Sequence, residues 1–127
     1  MIISPIRSIL VSALSDEVSE RIYPLTLPLD EPLPAIVLHE ISHKQGYSLD
    51  HYSRVQVAIL TESTDTEFGY DIVHRIRDKV LETLNNYTGS ISGYRIQDVF
   101  HIGDTETIAE ETASYAIYSD FSVIWSK

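Results

Sequence analysis

From Tyr115 to Trp125 the sequence alternates without a break. Tyr115, Ile117, Ser119, Phe121, Val123 and Trp125 fall on one side of an extended chain, and the residues between them on the other. Only a strand repeats every two residues, and one this long with an apolar side needs a covering layer. The aromatic row Tyr115–Phe121–Trp125 therefore reads as core rather than as a ligand platform. Two stretches of helical period supply the cover. Phe68, Ile72, Ile76, Val80 and Leu84 recur every four residues with Val73 beside them, while Asp71, Arg75, Asp78 and Glu82 lie opposite. Thr64-Asp65-Thr66-Glu67 has the form of a capping box ahead of that helix, and Asn85, Asn86 and Gly89 close it. Near the start, Ser4-Pro5 reads as a helix opening, followed by Ile6, Ile9, Leu10, Ala13 and Leu14 on one face.

Between the helices the chain turns extended. Arg21-Ile22-Tyr23 is a short piece, followed by a connector from Pro24 to Pro34 that holds four of the five prolines and bars a central strand there. Ala35–His43 reads as a strand. Tyr52–Thr61 alternates Val55, Val57 and Ile59 with Arg54 and Gln56, which makes it the partner across a Lys44–His51 loop. Ile91–Ile102 reads as a strand with a bulge at Gly93, and Gly103–Thr112 as an acidic polar loop. The expected class is α+β: a mainly antiparallel sheet of about four to five strands with two helices packed on one face, in the order α-β-β-β-α-β-β. A single domain over residues 1–127 is expected.

Composition removes several classes of function. Nine basic against nineteen acidic residues give a formal charge of −10, a surface that repels phosphate backbones. No cysteine is present, so disulfides and thiolate zinc sites are excluded. The longest apolar runs, such as Ala35–Leu38 and Val57–Leu60, have four residues, far from the roughly 20 needed to span a bilayer. Neither a membrane partner nor a secretory signal is expected.

One motif argues for chemistry. His39-Glu40-Ile41-Ser42-His43 matches the H-E-x-x-H pattern of zinc hydrolases, and Gly46 falls where the longer form wants glycine. Leu49 stands where that form wants its third histidine, with His51 two residues further on. On a helix the two histidines share a face about 5–6 Å apart, close enough for one zinc. On a strand they share a face about 13 Å apart, at roughly 3.3 Å per residue, with Glu40 on the other side. The strand-like opening Ala35-Ile36-Val37-Leu38 and the neighbouring alternation favour the strand, so no catalytic residue, metal ligand or cofactor is expected. His74 is expected to be solvated on the charged helix face, and His101 to be a surface or hydrogen-bonded histidine. No G-x-S-x-G elbow or phosphate-binding glycine loop occurs.

The order of features carries a resemblance. Arg21-Ile22-Tyr23-Pro24, then Leu33-Pro34-Ala35-Ile36-Val37, Glu40-Ile41-Ser42, Arg54-Val55-Gln56-Val57, the capped helix Thr64–Leu84 and the closing strand through Phe121 to Trp125 resemble the tail-completion or tail-terminator proteins of tailed bacteriophages. Ala35 departs from the aromatic that many relatives place after the proline. The resemblance implies a non-enzymatic structural protein that forms a ring of itself, a hexamer, on the head-proximal end of the tail tube. The ring ends tube growth and joins the tail to the head connector. The implied partners are further copies, the tail tube protein and head–tail connector proteins, with DNA only passing through the centre. The implied location is the virion, with the host cytoplasm during assembly. Acidic side chains lining the bore would let DNA slide. Assembly contacts are expected on the Lys44–His51 loop, through Lys44, Gln45, Tyr47, Leu49 and His51, and secondarily on the acidic loop at Asp104 and Glu106. Two other readings stand beside this one: a small zinc hydrolase using His39, Glu40 and His43, and a non-catalytic protein-binding adaptor.

Overall fold

The structure is a computed structural model that describes residues 2–28, 30–46, 49–109 and 114–127. Helix α1 spans Ile3–Val18 and α2 spans Gly69–Leu84. The strands are β1 (Ile22–Pro24), β2 (Ala35–Gln45), β3 (His51–Glu62), β4 (Gly89–Ile91), β5 (Tyr94–Ala109) and β6 (Ser114–Ser126). They form one six-stranded sheet in the order β1-β2-β3-β6-β5-β4.

This corrects the expected class. The sheet is mixed, because β1 lies parallel to β2 with Ile22 opposite Ile36, and it has six strands rather than four to five. The chain order is α-β-β-β-α-β-β-β. The added strand comes from Gly93. Ser92 and Gly93 both take positive φ, at 52° and 83°, as the two central residues of a primed hairpin turn require. Gly93 is therefore the turn between β4 and β5, where Ile91 faces Tyr94, and not a bulge in one strand.

The bulges lie elsewhere, at Ile41 in β2 and at Gln97 and Ile102 in β5. Past Ile102 the chain stays extended. Asp104 pairs with Ser119 and Glu106 with Ile117, so the expected acidic loop is the second half of β5 as far as Ala109. The remainder of that loop, residues 110–113, lies outside the described residues.

Both helix starts also differ from expectation. Ser4 and Pro5 lie inside α1, whose N-cap position is Ile2, without a side-chain cap. Thr64 Oγ1 does accept the Glu67 N–H at 3.1 Å, but in a separate turn before the helix. At α2 itself the Gly69 N–H donates to Ser63 Oγ at 2.9 Å. Phe68 precedes the helix and is 72% exposed, so it does not join the apolar row.

One apolar cluster holds these elements together. Ile6, Ile9, Leu10 and Leu14 of α1 meet Ile72, Val73, Ile76, Val80 and Leu84 of α2 over the inward faces of the strands. Those faces carry Val55, Val57 and Ile59 on β3 and Ile117, Phe121 and Val123 on β6. Burying each large side chain here is worth roughly 1.5–3 kcal/mol relative to leaving it in water.

Candidate assembly surfaces

The β2–β3 hairpin carries the first expected contact region. Its long pairing reaches Lys44 opposite Tyr52 and Gln45 opposite His51, so Lys44, Gln45 and His51 are strand residues and the loop is shorter than expected. Lys44 and Gln45 are exposed, and Leu49 at the tip is 80% exposed. Tyr47 lies outside the described residues. Lys44, Gln45, Gly46 and Tyr52 border a shallow hollow.

The bulge at Ile41 decides what the H-E-x-x-H residues do. Before it, Ile36, Leu38 and Glu40 point to the helix side, because they pair with Ile59, Val57 and Val55, all buried there. After it, His43 pairs with the buried Ser53 and regains that side one residue out of phase. His39, opposite Gln56, points to the other face. The expected arrangement, two histidines on one face and Glu40 on the other, is thus corrected. The imidazoles sit on opposite sides of the sheet, and Glu40 lies with His43. One zinc ion cannot join His39 and His43 across a sheet with ligand distances near 2 Å. Among the described residues, no group of three His, Asp or Glu side chains could hold a metal.

Glu40 and His43 instead belong to a structural relay. Trp125, 6% exposed, donates its indole N–H to Ser53 Oγ at 2.9 Å, and Ser53 donates to Glu40 Oε2 at 2.8 Å. Above the indole, His43 Nε2 meets His51 Nδ1 at 2.7 Å. Their ring centroids are 5.0 Å apart with planes within 15°, the spacing of two imidazoles joined edge to edge. The pair lies flat over Trp125, with His51 at 4.2 Å and 13°. Period two reveals Trp125, and His51 lies opposite it on β3, but the bulge that brings His43 onto it has no sequence signal.

The second expected region is tied into the fold. Asp104 accepts hydrogen bonds from Ser119 Oγ at 2.6 Å, from Arg77 Nη1 at 2.7 Å and from His101 Nε2 at 2.8 Å. Partial burial pushes its carboxyl up, but the Ser119 hydroxyl, His101 and Arg77 together outweigh that and hold it below the usual carboxylate range. Glu106 lies 2.7 Å from His74 Nε2, so His74 is not simply solvated; it joins α2 to β5. Sequence reasoning also left out a clasp between the helices. Glu17 accepts from Arg75 at 3.1 Å and from Lys79 at 3.0 Å. Hydrogen bonding to Arg75 is the main cause of its lowered pKa, and Lys79 is raised in turn by its bond to Glu17.

No family model matches the chain, and no curated protein matches it in sequence. Its fold does match a solved structure, described as "Virion of native gene transfer agent (GTA) particle". The TM-score is 0.73 at 12% identity, over 99% of this chain and 95% of that one. This chain shares its fold with a virion component. The likeness spans both helices and the whole sheet, and nearly all of the other chain.

Proposed function

We propose that the protein is a structural component of a phage-like virion: a ring of six copies on the head-proximal end of the tail tube. In that position it ends tube growth and joins the tail to the head connector. The observation that carries this reading is the end-to-end fold likeness to a virion protein, which agrees in kind with the tail-terminator resemblance of the sequence. The placement of Glu40 and His43 in a stabilising relay supports a non-enzymatic role.

The partners are further copies of the chain, the tail tube protein and head–tail connector proteins. Because the helices cover one side of the sheet, the open side would face a bore. Alternation along the strands puts Lys44, Arg54 and Arg95 there with Glu62, Asp98 and Asp120. A bore lined by this face would be balanced in charge rather than acidic, and it would still lack the basic patch that holds DNA in place.

Deleting the gene in a producing strain tests the reading. Tails of uncontrolled length and heads without tails are expected under electron microscopy, with full rescue by the gene in trans. Normal joined tails in the deletion strain would overturn it.

A further inference from the structure

The two outer strands of the sheet are short, and this leaves two matching windows of open backbone. β1 covers β2 only at Ile36–Leu38, and the Leu25 N–H donates to Leu38 O just beyond. From His39 to Gln45 the outer edge of β2 has no backbone partner among the described residues. On the far side, β4 covers Tyr94–Ile96 of β5, the Asn86 N–H donates to Val99 O, and the His101 N–H donates to Asn85 Oδ1. From Ile102 to Ile108 that edge likewise has no backbone partner among the described residues. The windows have equal length. Asp104 reflects the openness: the residue as a whole is exposed although its side chain is only 18% so.

The windows are offset along the strands. Ser42, the centre of the first, is level with Arg54 and Ser122 across the sheet. Thr105, the centre of the second, is level with Tyr118. Ser122 and Tyr118 are four residues apart, about 13 Å along a strand. Each copy contributes four long strands, about 19 Å of sheet width when one joint to a neighbour is included. The ratio corresponds to a strand tilt of roughly 35°, at the lower end of the tilt a closed barrel needs. The directions fit too. β2, β3, β6 and β5 alternate in direction, so β2 and β5 run opposite ways. In a ring of equivalent copies, β2 of one copy meets β5 of the next antiparallel.

We infer that, in the ring proposed above and resting on that reading, His39–Gln45 of one copy pairs edge to edge with Ile102–Ile108 of the next, closing a continuous barrel around the bore. The partner is a second copy of this chain, joined head to tail. Charge does not oppose the joint: in the β5 window Asp104 is already paired with Arg77 and Glu106 lies against His74, and in the β2 window Glu40 is held by Ser53 beside the exposed Lys44. β1 and the Asn85–Asn86 cover bound the joint at its two ends. The bulges at Ile41 and Ile102 lie inside the windows and blunt both edges in the free subunit, as natural sheets do to prevent untimely pairing.

The absence of cysteine gives a clean test. Ser42 and Thr105 lie on the same open face, at opposite edges of one subunit, so a disulfide between them can form only between copies. The double variant Ser42→Cys/Thr105→Cys is oxidised in rings assembled in solution, or in purified particles where free subunits do not assemble. Ser42→Cys/Phe100→Cys, whose positions are level across the sheet, reports a ring without offset. The expected result is a ladder of covalent multimers up to the full ring for the first pair and none for the second. A ladder only from the second pair, or an intact ring mass with no ladder from either, overturns the edge pairing and leaves the ring standing. Absence of any ring in both solution and particles overturns the functional reading itself.

Discussion

Ser53 is a small residue with a large share of the polar accounting at one end of the core. It is 3% exposed and connects the Trp125 N–H to the Glu40 carboxylate. Removing its hydroxyl leaves a buried donor and a half-buried acceptor without partners, while the methyl group that remains gains little. Ser53→Ala is expected to cost about 1–3 kcal/mol, seen as a lower urea midpoint with an unchanged slope. An unaltered midpoint would mean that the relay does not stabilise the fold. His39→Ala serves as the contrast, since that side chain is exposed on the far face and its loss should leave the midpoint where it is.

At the level of elements, Gly69 sets how α2 meets the sheet. A Cβ there would lie 2.6 Å from Tyr115 Cδ2 and 2.9 Å from both Glu62 C and Ser63 N. Two of those atoms are backbone and cannot turn away, so the helix start would have to lift. Gly69→Ala is expected to destabilise by about 1–3 kcal/mol and to speed amide exchange in the first turn of α2. Unchanged protection there would count against this close fit. The body of α2 was legible because Ile72, Ile76, Val80 and Leu84 repeat at helical spacing. Its start was not, because the Thr64 hydroxyl caps a turn that looks the same in sequence as a helix opening. β6 was legible through unbroken alternation. The second half of β5 was not, because an open edge strand has polar residues on both sides, which reads as loop. β4 was not legible either, because its three residues are too few to have a period. Of the expected contact residues, Leu49 is 80% exposed at the hairpin tip, Asp104 is held by Arg77, Ser119 and His101, and Glu106 lies against His74.

Across the whole molecule, two clasps respond to acid in the same sense. Asp104 and Glu17 both have pKa values lowered in the folded state. The unfolded chain therefore takes up protons first as pH falls. The stability these carboxylates contribute is fully present above the ordinary carboxylate range, about 4, and is lost as pH drops toward their lowered values. The acid limb of stability against pH is expected to flatten in Asp104→Asn and in Glu17→Gln, measured by urea midpoints from neutral pH downward. Comparing each variant with the parent at the same pH removes the shared effect of the −10 charge. Parallel curves would show that neither clasp governs acid unfolding. The surplus residues at Ile41, Gln97 and Ile102 have a mechanical outcome as well. Each makes one strand longer than its neighbour over the same span, so the strip of backbone is arched before anything docks against it. A subunit built already bent can enter a circle with little elastic work, whereas a flat one would have to be forced into shape by the copies on either side.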